Sequence, residues 1–382
     1  MTSKRITLKI EGEFVDSFLY SGTLFLVGAD SRLAMYDWEA VLKNSIGFND
    51  DGDLGVFNFL LDSRRGMATD VDGYSEISVA ADQLAKYLLF DVNLGEWPTD
   101  INVYANRFYV AGENGVDEIP YDWVQKTLKI EEKFRIWNKY SYKVSANDSH
   151  RIAIASGKNG VISAFPRSGY IKKDDVSTLL EVNSNDCQWI GANLVANSLE
   201  GSYLATFPNL PDRPHGPVPQ GYWKLLESTK RDLPVSEQLH YDGMGRLLYS
   251  WLGGTKVFSL LDSGVIVIKD SDESDAAHTD SKLDVLRIEQ TISGLDCILS
   301  ARSGAFGTVV ETDAQLLSIT QFGVEVIAER PVSWRVFPRA KNYANHLHVA
   351  FNDHLSISAY FNYGSEGMGN KFGFDIDEAG SD

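Results

Sequence analysis

Three of the seven histidines, His346, His348 and His354, fall within nine residues near the C-terminus. Two apart on a strand, His346 and His348 share a face, and His354 follows an expected Asn352-Asp353 turn that would let it oppose them. Three imidazoles can hold Zn²⁺ with a fourth position left open. They are the weak metal candidates of the chain, against the plainer reading of polar rings at a strand end. Glycoside hydrolysis needs two carboxylates about 5–10 Å apart, and the acids expected on inner strands are Asp16, Asp100 and Asp296. The acidic stretch Asn49, Asp50, Asp51 and Asp53 lacks the twelfth-position Glu of an EF-hand, and Asp70, Asp72 and Glu76 fit no better. There is no Gly-x-Ser-x-Gly, no phosphate-binding P-loop and no dinucleotide fingerprint. Cys187 and Cys297 sit beside apolar residues and read as core thiols. No catalytic residue and no cofactor is therefore assigned.

What remains is surface chemistry. Prolines at 208, 211, 214, 217 and 219 stiffen the segment 208–221, and fixed φ lowers the ordering cost of binding. Arg213 and His215 within it, and Trp223 just after it, are candidate partner-binding residues. A second candidate is the acidic run of 269–284, with Asp270, Asp272, Glu273 and Asp275. Eight tryptophans are many for 382 residues. Most are expected to pack between structural units, with some at a rim where Trp makes binding hot spots.

Charge narrows the partners. Lys+Arg 35 against Asp+Glu 53 leaves −18, with a pI near 4.8. Such a surface repels nucleic acid and anionic lipid, so the expected partner is a protein with a basic surface. No run reaches the roughly 20 apolar residues of a membrane span, and MTSKRITLKIEGEF lacks the apolar core of a signal peptide. A cytoplasmic setting is the expectation. Two cysteines build no disulfide framework.

The elements that position these residues repeat. LFLVGADSRLAMYDW (24–38), RFYVAGENGVDEIPYDW (107–123) and RIAIASGKNGVISAFP (151–166) each read as strand, tight turn, strand. KVFSLLDSGVIVI (256–268), FGTVVETDAQLLSI (306–319) and HLHVAFNDHLSISAYF (346–361) repeat the pattern. Asn114-Gly115 and Asn159-Gly160 predict type I′ turns, with positive φ at both residues. The turns lie about 40–50 residues apart, or about twice that, a spacing typical of propeller blades. Upstream of the hairpins stand an outer and an inner strand, as in ITLKI with FVDSFLY, YLLFDV with INVYA, and KFRIW with YSYKV. A unit without a clear hairpin uses TLLEV, QWIGANLVA, SYLATF and YWKLLE (222–227). Helical patterns are confined to 38–46 and, ambiguously, 122–139. The insertion 39–86 adds an acidic loop (47–55) and a strand-like run (56–61), with room for an eighth blade around Asp72-Gly73.

On these repeats the chain resembles the β-propeller superfamily in its WD40-like form. The Gly-His and Trp-Asp dipeptides of WD40 blades are absent, Tyr36-Asp37-Trp38 and Tyr121-Asp122-Trp123 standing near their place. The resemblance implies an all-β fold: a seven-bladed (alternatively eight-bladed) β-propeller of four-stranded antiparallel blades. The first strand is of outer type and the last of third type, so the N-terminal strand should close the ring. The expected boundaries are a propeller over 1–363, with insertions 39–86, 208–221 and 269–284, and an acidic, disordered tail over 364–382.

The functional expectation is a non-catalytic interaction scaffold or regulatory subunit that binds a protein through propeller faces and inserted loops. An immunity or neutralising protein, or a subunit of a defence complex, fits that acidity. The alternative is a propeller enzyme or ligand sensor with its site at the central channel. A third reading is a module of a larger virion or secretion assembly.

Overall fold

The computed structural model describes residues 5–46, 51–62, 76–147, 151–164, 176–212, 214–229, 234–253, 256–270, 284–287, 297–320 and 323–361. Among them the strands form seven sheets, and the fold is a seven-bladed β-propeller. The inner strands are Phe14–Tyr20, Pro98–Tyr104, Lys143–Ala146, Ser184–Ile190, Leu247–Gly253, Ile298–Gly304 and Ser333–Val336, of blades I to VII in turn. Each packs on the next, and the last packs on the first, which closes the ring. No eighth sheet appears among the described residues, and Asp72-Gly73 lies outside them.

Closure is as the strand order requires. Arg5–Glu11 pairs antiparallel with His354–Tyr360, so the two ends of the described chain share blade VII. Glu76–Val79, from the first insertion, then adds a fifth strand parallel to Arg5–Glu11. This strand covers an edge that would otherwise be open. Second strands are buried almost throughout, as in Ile152–Ala155, where all four residues are buried, and in Asn193–Ser198, where five of six are. The reason is that neighbouring blades cover both faces. Phe25 and Val27 of blade I pack on Ile101, Val103 and Phe108 of blade II. Trp251 of blade V donates to the Ser303 hydroxyl of blade VI at 2.9 Å.

Each blade is built on an antiparallel meander of inner, second and third strands with an outer strand added at its edge, so inner strands all begin on one face, here the upper, and end on the lower. Connections from third to outer strands leave from the lower face. The four long ones, 38–87, 165–175, 207–234 and 271–283, are all of this kind.

Several sequence expectations need correction. VFNFLL lies in a helix, Asp51–Leu61, which also takes up most of the expected acidic loop. Val56, Phe57, Phe59 and Leu60 are all buried. An apolar run covered on nearly every side has no visible helical period. YWKLLE likewise belongs to a helix, Tyr222–Thr229, and the outer strand of blade IV is Val235–Gln238. The 122–139 segment holds the short strands Thr127–Leu128 and Phe134–Trp137, joined through a single 3₁₀ turn. The inner strand Leu247–Gly253, which carries no alternation, escaped the sequence reading.

The turns also differ. Gly112 pairs with Gly115, so the blade II turn is Glu113-Asn114, and only the glycine has positive φ. The φ of +130° at Gly115 places a hypothetical Cβ 1.9 Å from the Trp137 carbonyl oxygen, so no side chain fits. Positive φ at both central residues occurs instead at Ser21-Gly22 and Ala105-Asn106, between inner and second strands.

Candidate functional site

The central channel is the candidate site. Its cavity of about 710 Å³ is lined by the inner strands of six blades, together with Glu311 and the segment after Val336. In blades I, II and IV the inner strand carries a bulge at its upper end, and the next residue is an aspartate: Asp16, Asp100 and Asp186. A bulge re-aims the side chain that follows it. The three carboxylates are thus delivered at one height of the ring.

Two arginines meet them. Arg335 of blade VII donates to Asp16 through Nε (3.2 Å) and Nη2 (2.6 Å), and to Asp100 Oδ1 through Nη2 (3.0 Å). Its guanidinium also lies over the Phe18 ring, 5.0 Å from the centroid. Asp100 Oδ2 accepts from the Val144 backbone N–H at 3.0 Å, and Lys143 Nζ stands 3.6 Å from Oδ1. One guanidinium therefore joins blades VII, I and II, with blade III attached through Asp100. Arg302 of blade VI makes the second clamp. Its Nη1 donates to Asp186 Oδ2 at 2.9 Å, its Nη2 also bonds Asp186, and the Tyr249 hydroxyl of blade V donates to the same carboxylate. Blades IV, V and VI are joined in this way.

These contacts set the charge states. Burial alone would raise Asp186, but the charge and hydrogen bonds of Arg302, with Lys143 and the Tyr249 hydroxyl, bring it down to about 2. Burial works against both arginines, yet Asp186 holds Arg302, and Asp16 with Asp100 holds Arg335, above the ordinary guanidinium value. Burial pushes the Cys187 thiol well up. Glu311, on the second strand of blade VI, is raised by burial, and the Trp334 hydrogen bond and Lys143 offset this only in part.

The two mouths differ. Below, Arg339 crosses the opening from the segment between Val336 and His346, bonds the Ala146 carbonyl of blade III and covers the Tyr104 ring of blade II. Above, the lining includes Trp97, Tyr140, Tyr142, Leu299 and Val332, all exposed, with Trp97 at 52%. Trp334 stands half-buried among them and donates its Nε1–H to Glu311 Oε2 at 2.7 Å.

The sequence candidates separate. His346 and His348 do share a face of blade VII and are fully buried. His346 pairs with Ala359 and His348 with Ile357, whereas His354 opposes Phe351 on the other face of the sheet. The three imidazoles therefore do not converge, and no cluster of three metal-ligating side chains occurs among the described residues. His354 stacks on Phe351 and bonds Asp353. His215 and Trp223 are exposed, in the lower-face connection of blade IV. Asp270 ends the third strand of blade V. Arg213, Asp272, Glu273, Asp275 and Asp296 lie outside the described residues, as does the 364–382 segment.

Cys297 is exposed, against the expectation of a core thiol. Of the tryptophans, Trp38, Trp189 and Trp251 are fully buried, while Trp97, Trp123 and Trp223 are exposed. Trp137 and Trp334 are half-buried against clusters shared by blades II and III and by blades VI and VII, so five of the eight pack inside the ring as expected and three stand at its surface. Asp186, Arg302, Arg335, Lys143 and Glu311 went unnoticed in the sequence. For Asp186 the available signal was its place two residues into an inner strand, as with Asp16 and Asp100. The four others carried no comparable mark.

No family model matches the chain, and no curated protein matches it. Among solved structures it is similar to BBS1N, crystallised in complex with ARL6DN. The identity is 10% and the TM-score 0.48, over 96% of this chain and 99% of that one. It is similar to human WBSCR16 at 12% identity and TM-score 0.44, over 94% and 87% of the two chains. The β-propeller domain of Cps50 (Swd1) from Myceliophteria thermophila shares 12% identity at TM-score 0.38, over 69% of this chain and 99% of that one. These are likenesses of fold.

Proposed function

We propose that this chain is a non-catalytic interaction scaffold whose upper face takes a protein partner with a basic surface. One observation carries the reading: an exposed apolar rim surrounds a channel whose aspartates are each held by an arginine. General acid–base hydrolysis needs a carboxylate able to exchange its proton with substrate. Asp16, Asp100 and Asp186 instead join blades. Exposed aromatic side chains around a concave site are the composition of a binding hot spot. The charge of −18 favours a basic partner and speeds its approach at low salt. A regulatory or neutralising role inside the cytoplasm is consistent with this reading.

The test is capture from the native host at low salt with the tagged full chain. A Trp97→Ala/Tyr142→Ala variant and a His215→Ala/Trp223→Ala variant run in parallel. The expected result is one stoichiometric protein that leaves as salt rises, that the first variant loses and the second keeps. Recovery of a bare monomer overturns the scaffold reading. Loss only with the second variant overturns the choice of face.

A further inference from the structure

We infer that the upper channel mouth is a subsite for a single cationic side chain, Arg or Lys, presented by an extended segment of the partner. The inference rests on the scaffold reading above and deepens it. Glu311 is the anchor. Its Oε2 is taken by Trp334, and no cation stands within ion-pair distance of it among the described residues, unlike Asp16, Asp100 and Asp186. It lines the cavity and is only half-buried, so the carboxylate can be reached from the mouth.

The approach to Glu311 is aromatic. Trp97, Tyr140 and Tyr142 stand on the side of blades II and III, and Trp334 beside the carboxylate itself. Tyr140 and Tyr142 pack edge to face at 4.7 Å. None of these four rings carries a cation among the described residues. Other channel rings already do: Phe18 takes Arg335 and Tyr104 takes Arg339. An aromatic face within about 6 Å attracts a guanidinium or ammonium, more strongly when water is excluded. A carboxylate beyond the rings then ends the path with a charge-assisted hydrogen bond.

The occupant follows from size and sign. A cavity of about 710 Å³ admits long side chains from an extended segment but no folded domain. The cations that line the cavity are already engaged, Arg302 by Asp186, Arg335 by Asp16 and Asp100, Lys143 by Asp100 and Arg339 by the Ala146 carbonyl, so an anionic side chain would find no free partner there and would meet Glu311 as a like charge. Of the carboxylates that line the cavity Asp16 and Asp100 are paired with Arg335, and Glu311 alone has no ion pair among the described residues, so the site holds one added cation rather than a run of them.

The test uses the full-length chain and the peptide acetyl-Gly-Ser-Gly-Arg-Gly-Ser-Gly-amide, followed by tryptophan fluorescence. The same peptide with Lys, citrulline or norleucine at the centre completes the set. Saturable binding is expected for Arg and Lys, at least tenfold weaker for citrulline and norleucine. Glu311→Gln, which keeps an acceptor for Trp334, should weaken the cationic peptides at least tenfold. Citrulline binding as tightly as Arg overturns the inference on the unmutated chain, whatever the variants do. Absence of saturable binding, or Glu311→Gln binding like wild type, overturns it too. In the capture experiment, a partner kept by Glu311→Gln but lost by Trp97→Ala/Tyr142→Ala defeats this inference and leaves the scaffold reading standing. A chain that captures no partner yet binds Arg selectively over citrulline defeats the scaffold reading alone.

Discussion

Acid should open the closing blade first, and His346 is the group to perturb. It lies on the second strand of blade VII, the strand that pairs with His354–Tyr360 and so holds the closure in place. Its ring is fully buried among Trp38, Tyr343 and His348, at centroid distances of 6.4, 5.5 and 6.1 Å. Burial drives its pKa down to about 3, with the Leu60 carbonyl acting in the opposite direction. His348, beside it, is also lowered, by burial and by His346 and Arg335. Its Nδ1 bonds the Ser17 hydroxyl at 2.9 Å. The packed surroundings thus accept neutral imidazole and reject imidazolium.

The sign and size follow. An unfolded histidine titrates near 6.5, so the folded chain binds its proton later than the unfolded one does. Stability is complete above about pH 6.5 and is lost as pH falls toward 3. At pH 5 the loss from His346 alone is about 2 kcal/mol. Asp186, held near 2, does not interfere, because its own loss begins below the ordinary carboxylate value. The comparison is wild type against His346→Leu, by denaturant unfolding at pH 8 and pH 5. Removing the imidazole should change the difference between the two proteins by about 2 kcal/mol in the variant's favour on going to pH 5. The same difference at both pH values would refute the argument, since a merely structural effect of the leucine is independent of pH.

Further outcomes are as definite. Arg335→Met leaves Asp16 and Asp100 buried without their cation and should cost about 3–5 kcal/mol, read by denaturant midpoint. Gly115→Ala forces positive φ on a side chain that would overlap the Trp137 carbonyl, so a loss above ~1 kcal/mol is expected. Gly22→Ala also imposes positive φ but meets nothing within 4 Å, and should cost less. In thiol titration of the native chain Cys297 should react and Cys187 should stay silent until denaturant is added, because it is buried and its thiol is held protonated. Rapid reaction of both thiols would mean that blade IV is not packed as described.

The blades were legible because a strand buried on both sides must be short, apolar and regularly spaced. IAIA at 152–155 and LFLV at 24–27 show this without any partner in view. The N-terminal closure was legible for a related reason: the strand count leaves an outer strand at one end and a vacancy at the other. Legibility failed where burial erased the period. Leu247–Gly253 and Val56–Leu61 are apolar without alternation, and only tertiary contacts make one a strand and the other part of a helix. At the channel Asp16 and Asp100 were found, but as a possible acid pair. Their meaning depends on Arg335, more than 200 residues away in sequence, and no local pattern announces such a partner. The histidine cluster failed on register, since His354 opposes Phe351, three residues on from His348, and so falls on the other face.

The two arginine clamps divide the ring into arcs, and the division bears on binding. Arg335 gathers blades VII, I and II, with blade III attached through Asp100, and Arg302 gathers blades IV, V and VI. Two joints between the arcs remain. At blades III and IV the Trp189 backbone N–H donates to the Ser145 hydroxyl at 3.1 Å, and Gly157 bridges to Ser184. At blades VI and VII the buried contacts include Phe306 on Tyr360, and at the channel the link is Trp334 to Glu311. A cation that reaches Glu311 therefore binds at a joint between two internally braced arcs. The braced arcs keep the rings and the carboxylate in place before the partner arrives, which limits the ordering cost of binding. A charge drawn to Glu311 also competes with Lys143 for its field, so Lys143→Met should strengthen the Arg peptide while leaving its preference over citrulline intact. Weaker binding by Lys143→Met, with Asp100 still paired to Arg335, would show that Lys143 supports the site rather than opposing the incoming charge.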